Sequence, residues 1–328
     1  MSERPLPDFE EIARARRTLE ATLPRTPLHG APGLSRELGA DVRLKHENHH
    51  ALGAFKVRGG LYLATRLGAA ERRGGLFTAS TGNHGQSIAL AGRTAGAPVT
   101  VAVPEGANPQ KVRSMVDLGA RVVERGPDFD TAREWAVREA RRCGGRFVGP
   151  TEPELVAGVA SLHLEILEDC PEVDTVIVPV GSGSNAAAAC LVRAERKPAL
   201  EVVGVQSEAA PAAWLSWRAG RPVDAAMATR AEGVATRVAY ENVLGVLCDA
   251  ERGLSDFVLV SDTAMERAIT DLLRHAHTLA EHAGAAPLAA ARTIGERLRG
   301  RVVVLVLSGG NLSVEALHGL LGDGDLRE

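Results

Sequence analysis

The chain has 328 residues, 45% hydrophobic and 24% charged, which is enough for about two domains whose cores need no disulfide or metal staples. A net charge of −3 speaks against nucleic acid or an anionic membrane as the main partner. The four scattered cysteines form no CxxC, no apolar run approaches the roughly 18 residues of a membrane span, and the first residues carry no apolar signal core. A membrane protein, a secreted disulfide scaffold and a disordered chain are thereby excluded, and a cytoplasmic location is expected.

In chain order, Asp8 three residues before Glu11 marks a helix start, followed by Ile12, Ala13 and Leu19 at roughly helical spacing. From residue 74 a regular alternation begins. Strands are predicted over 74–80, 98–104, 120–126, 146–150, 174–180 and 201–206, and helices over 82–96, 108–119, 130–144, 154–170 and 183–195. A late apolar strand over 301–310 ends in glycines. Strands that are apolar throughout and alternate with helices of ten or more residues mean a buried, mainly parallel sheet: an α/β protein. The stretch 200–250 is the least regular, and its Trp214 and Trp217 read as exposed.

Three glycine-bearing turns follow strands: ASTGNHGQ (79–86), PVGSGSNA (179–186) and LSGGN (307–311). Ligands of parallel α/β sheets bind beyond the carboxyl ends of the strands, and a helix N-terminus there favours an anion. GSGSN (181–185) is the best anion cradle, with two glycines, two hydroxyls and an Ala-rich helix behind it. It is neither GxGxxG nor a P-loop, which suits a cofactor monophosphate. Only four of the 38 basic residues are lysines. Of these, Lys56 lies between Phe55 and Val57, and apolar surroundings lower an amine's pKa and free it as nucleophile or base. Ser80, Thr81, Gly82, Asn83 and His84 place neutral donors at a strand-to-helix turn, where Ser80 or Thr81 also suits the helix cap. His163 reads as a surface or packed histidine of a helix.

Taken in order, RTPL (25–28), LKHEN…GAFKVRGG (44–60), STGNHGQ (80–86), the Gly/Ser loop (181–185), VQSEAAPA (206–213), EGVAT (232–236), EHAGAAPLAA (281–290) and SGGN (308–311) resemble the threonine dehydratase and serine racemase family. These are pyridoxal-phosphate enzymes of fold type II, the tryptophan-synthase-β class. The resemblance implies two domains, each with a mainly parallel sheet flanked by helices. A large cofactor-binding domain would be made of 1–62 and 151–328, and a small mobile domain of 63–150 would carry the STGNHG loop.

The resemblance also implies site roles. Lys56 carries the pyridoxal phosphate covalently and acts as the base. Phe55 packs beside the ring and Asn83 bonds its hydroxyl. Gly181, Ser182, Gly183, Ser184 and Asn185 cradle the phosphate, and Ser308 faces the pyridine nitrogen. Ser80, Thr81, Gly82 and His84 grip the substrate. Gln206 and Ala212 stand where metal-activated relatives carry acidic residues, so no metal site is expected. The phosphate loop departs from the family's run of four glycines and Leu, and Thr81 stands where racemases carry Ser and many dehydratases Ala.

The implied activity is β-elimination from L-threonine, L-serine or a related β-hydroxy amino acid, giving a 2-oxo acid and ammonia, by a homodimer. The alternatives are a serine-type racemase using Lys56 and Thr81 as opposed bases, or a dehydratase for a bulkier or acidic substrate such as phenylserine or 3-hydroxyaspartate. From another class comes a non-catalytic binding protein for a phosphorylated ligand. The presence of Lys56, Asn83 and Ser308 together argues against it, because a binder has no need of the lysine.

Overall fold

The computed structural model describes residues 4–322. The chain forms two compact units. One takes the residues up to Leu23 and Lys56–Ser161, the other Pro24–Phe55 and the chain from Leu162 onward. The strands are β1 (Leu28–Gly30), β2 (Asp41–Lys45), β3 (Leu76–Ala79), β4 (Val99–Val103), β5 (Arg121–Glu124), β6 (Arg146–Phe147), β7 (Thr175–Pro179), β8 (Glu201–Ser207), β9 (Asp256–Val260) and β10 (Val302–Val306).

The unit containing Lys56 holds a parallel four-stranded sheet ordered β5-β4-β3-β6. Its core gathers Leu63, Leu76, Ile88, Val101, Val103, Met115 and Val148. The other unit holds a six-stranded sheet ordered β1-β2-β10-β7-β8-β9, parallel except for the β1–β2 pair. Strand β7 is buried at every position, so it reads as a continuous apolar run. In both sheets crossover helices cover the strands, which is the α/β architecture the alternation predicts.

The predicted elements between 74 and 206 are present, with ends shifted by up to three residues. The strand expected over 146–150 keeps only Arg146 and Phe147, because its ladder with β3 holds just two pairs. Asp8 caps the first helix, Phe9–Glu20, by accepting a hydrogen bond from the Glu11 N–H at 2.8 Å. β1, β2, β9 and the helix Lys56–Arg66 are further elements outside those predicted from the sequence.

The two tryptophans correct an expectation. Both are partly buried. Trp214 Nε1 donates to the Phe257 carbonyl and Trp217 Nε1 to that of Leu247, each at 3.0 Å. An indole with a satisfied N–H packs as an apolar body against the protein. Among the described residues no helix is long and apolar enough to cross a membrane.

Candidate active site

In the six-stranded unit, the loop after β7 carries Gly181 to Asn185 into the helix Ser184–Arg196. Gly183 is the N-cap residue, with φ 86° and no side-chain cap. A side chain there would be strained, and its Cβ would lie 2.4 Å from Val243 Cγ1. Gly181 and Ser184 are buried and Ser182 is partly exposed. Asn185 is buried, and its Oδ1 accepts a hydrogen bond from His163 Nε2 at 2.8 Å. Its Nδ2 is buried with no hydrogen-bond partner. A helix N-terminus without a side-chain cap, beside a buried donor in need of an acceptor, fits an anionic group.

The SGGN turn lies at the end of β10 in the same unit. Ser308 is buried, and its carbonyl accepts a hydrogen bond from the Phe55 N–H at 3.0 Å. Ala54 and Gly309 form an antiparallel bridge. The Gly310 N–H donates to the Gly53 carbonyl and Asn311 Nδ2 to that of Leu52, both at 2.8 Å. This stitching fixes the backbone of Gly53-Ala54-Phe55 immediately before Lys56. Gln206, buried within β8, accepts from the Trp214 N–H at 3.0 Å and donates to the Val234 carbonyl at 3.4 Å. Its amide braces the protein.

In the other unit Lys56 opens the helix Lys56–Arg66. The residue keeps partial exposure, but burial of its amine pulls the pKa down to about 8, the direction expected of a desolvated ammonium. Ser87 Oγ donates to the Lys56 carbonyl at 2.6 Å. The helices 56–66 and 83–95 approach closely at Gly60, where a Cβ would sit 2.4 Å from Ser87 Oγ and 2.5 Å from Ser87 O. Because a backbone oxygen is among the obstacles, Gly60→Ala is expected to destabilise the protein by about 1–3 kcal/mol despite alanine's better helix propensity. Thermal melting checks this, and an unchanged midpoint would refute the close-approach argument.

The turn after β3 divides its labour. Ser80 Oγ accepts from the N–H groups of Gly82 (3.1 Å) and Gly85 (2.9 Å), so Ser80 holds the start of the helix Asn83–Ala95. Thr81, Gly82 and Asn83 remain partly exposed. His84, the last residue of the turn, is buried. Its Nε2 lies 3.0 Å from Thr78 Oγ1 and 3.2 Å from the Val148 carbonyl. Thr78 Oγ1 itself donates to that carbonyl, so Nε2 carries the hydrogen. Burial and the nearby Lys56 pull the His84 pKa down to about 3. The imidazole is therefore neutral at physiological pH, with its Nε2–H turned toward Thr78 and Val148.

The structure therefore gathers Phe55, Ser308 and the 181–185 loop in one unit, and Lys56 with residues 80–84 in the other. It also exposes what sequence reasoning missed. Lys45 and Glu165 form a fully buried ion pair at 2.6 Å. Glu47 is buried, accepts from Thr26 Oγ1 at 2.6 Å and lies 3.4 Å from His50 Nε2. The scarcity of lysine was the available signal for Lys45. For His163 there was none, because helical spacing does not reveal its partner.

The pattern of the pyridoxal-phosphate dependent enzymes matches residues 19–309. The chain is 34% identical over 318 residues to an L-threonine ammonia-lyase of Thermotoga maritima, covering 96% of this chain and 78% of that one. It is 36% identical over 310 residues to an L-threonine ammonia-lyase of Geobacter sulfurreducens, covering 93% and 76%. Among solved structures, a crystal structure of a threonine deaminase superposes with a TM-score of 0.86 at 33% identity, over 94% of this chain and 99% of that one. With that match running through both units, the chain belongs to the pyridoxal-phosphate dependent enzymes of fold type II.

Proposed function

We propose that the protein is an ammonia-lyase that converts L-threonine, L-serine or a related β-hydroxy amino acid to a 2-oxo acid and ammonia. The observation that carries the reading is the similarity to L-threonine ammonia-lyases along nearly the whole chain. A lysine with a depressed pKa opens a helix within the matched region. The residues present fit pyridoxal phosphate: Asn185 Nδ2 lacks an acceptor, the adjoining helix start has no side-chain cap, and the Lys56 amine is held ready to lose its proton.

When bound, the cofactor supplies an electron sink for the carbon from which the α-proton leaves. The protein's residues do the rest. Gly181, Ser182, Gly183, Ser184 and Asn185 hold the phosphate, and Phe55 packs beside the ring. Ser308, a buried neutral hydroxyl, would face the pyridine nitrogen, where it can donate a hydrogen bond without supplying a full positive charge and so would moderate the cofactor's electron-sink strength. Asn83 bonds the ring hydroxyl. Lys56 would hold the cofactor through its side-chain amine, and that amine, with its pKa lowered to about 8, would serve as the base for the α-proton. Ser80, Thr81, Gly82 and His84 belong to the loop that would grip the substrate carboxylate. Following the habit of the family it resembles, the enzyme works as a cytoplasmic homodimer.

A racemase side activity is the second reading. Ser80 takes the helix-capping contacts, and the partly exposed Thr81 hydroxyl would be the second proton donor beside Lys56. Incubation with L-serine separates the two readings: pyruvate release supports elimination, and D-serine without pyruvate overturns it. The Lys56 shift adds a pH test. Capture of pyridoxal phosphate needs the neutral amine, whose fraction grows as pH rises through about 8. The rate of cofactor uptake by the apoenzyme is therefore expected to climb through pH 8 and level off above it. A rise continuing to the range of an ordinary lysine would contradict the buried amine.

A further inference from the structure

We infer that His163 is a positioning residue for the phosphate end of the cofactor, acting through the Asn185 side chain; this rests on the cofactor reading above. Both residues lie in the six-stranded unit, His163 on the helix Pro153–Asp169 and Asn185 in the first turn of the helix Ser184–Arg196. Their side chains meet at 2.8 Å, and the residues are 4% and 2% exposed. The other end of the same amide, Nδ2, is buried and bonded to nothing.

A buried amide donor without an acceptor is costly, and native interiors rarely keep one without a reason. Here the reason follows from the orientation. While His163 Nε2 carries its hydrogen, it donates to Asn185 Oδ1, and the amide must present its N–H₂ elsewhere. With the opposite tautomer the amide reverses and turns its oxygen outward, which would repel an anion. His163 thus determines the sign of the group at the head of this helix. Asn185 stands where the family's usual loop carries Leu, a side chain with no donor. The acceptor that fits a donor in the first turn of a helix is a phosphate monoester dianion.

The test compares wild type with His163→Leu, His163→Gln, Asn185→Leu and the double variant His163→Leu/Asn185→Leu. Apoenzyme is prepared from each full-length holoenzyme. It is titrated with pyridoxal phosphate and, separately, with pyridoxal, which lacks the phosphate. The ³¹P resonance of each holoenzyme is recorded. His163→Leu and Asn185→Leu are each expected to weaken pyridoxal phosphate binding by about tenfold or more, the scale of a hydrogen bond to a charged group. Pyridoxal binding stays level and the ³¹P resonance shifts. His163→Gln, which keeps a donor toward Asn185 Oδ1, recovers part of the loss. The double variant replaces both polar partners with apolar ones, so it regains thermal stability while keeping the phosphate-dependent deficit.

Wild-type affinity for pyridoxal phosphate in the double variant, or equal weakening toward pyridoxal, would overturn the inference and reduce the pair to packing. Failure of the wild-type protein to take up either compound would overturn the cofactor reading itself.

Discussion

Lys56→Ala is expected to lower 2-oxo acid release from L-threonine by at least about 10³-fold, because the substitution removes both the covalent attachment and the base. Folding should survive. Alanine is the best helix former, the Ser87 Oγ contact is to the Lys56 backbone carbonyl, and removing a buried amine relieves its desolvation. The measurement is a coupled assay for the oxo acid alongside a melting curve and a visible spectrum of the purified protein. Residual activity above a few per cent, in a protein that melts like wild type, would move the base to another residue. Loss of the visible band together with activity is the outcome expected of the residue that holds the cofactor.

The second large effect concerns stability. Lys45 donates to Glu165 Oε2 at 2.6 Å and to the Thr26 carbonyl at 2.9 Å, and both charged side chains are nearly inaccessible. Lys45→Met strips Glu165 of this partner inside the protein. Breaking one side of a buried pair typically costs about 3–5 kcal/mol, so a large drop in melting temperature is expected. The double variant Lys45→Met/Glu165→Leu should recover most of it, because a well-packed apolar pair avoids desolvating two charges. A single variant that melts within a degree of wild type would show that Glu165 finds another partner or takes up a proton at little cost. Thr26 also donates to Glu47, so Lys45→Met has a second expected consequence: loosening of the segment from Glu47 to Phe55 that leads into Lys56.

The same pair shows why part of the site was hard to read. Lys45 sits at the end of β2, whose burial pattern mixes exposed, partly buried and buried positions, and its partner lies 120 residues away. Pattern-based reasoning sees the period of a strand or helix. It does not see a long-range ion pair, whose existence depends on which strands become neighbours. β2 pairs with β10 and β1, and no local feature of residues 41–45 encodes that choice. For the same reason the unit boundaries at 23, 55 and 161 had no compositional mark. The chain passes between the units without a linker rich in Pro, Gly or Ser, and compactness is a property of contacts.

His84 and Ser80 show a finer division. The residue types in STGNH announced a polar turn at a strand-to-helix junction, and the two functions weighed for it, capping and ligand contact, both drew on the same short side chains. The folded geometry shows which of these side chains turn into the protein. Ser80 reaches back to two N–H groups, and His84 gives its N–H to the protein. Thr81, between β3 and the helix, is left partly exposed.

By itself, the sequence determined the α/β class, the strand–helix order from residue 74 to 206, the glycine-bearing turns after β3, β7 and β10, and the family. These follow from periodicity, backbone sterics and an ordered set of motifs, all of which are local along the chain. The tertiary structure alone decided how the GAF segment is stitched to the SGGN turn, how far the Lys56 amine is desolvated, which residues share a unit, and that His163 meets Asn185. Those outcomes depend on burial and on contacts between distant segments, where the free energy of a polar group is set by what the fold brings beside it and how much water it removes.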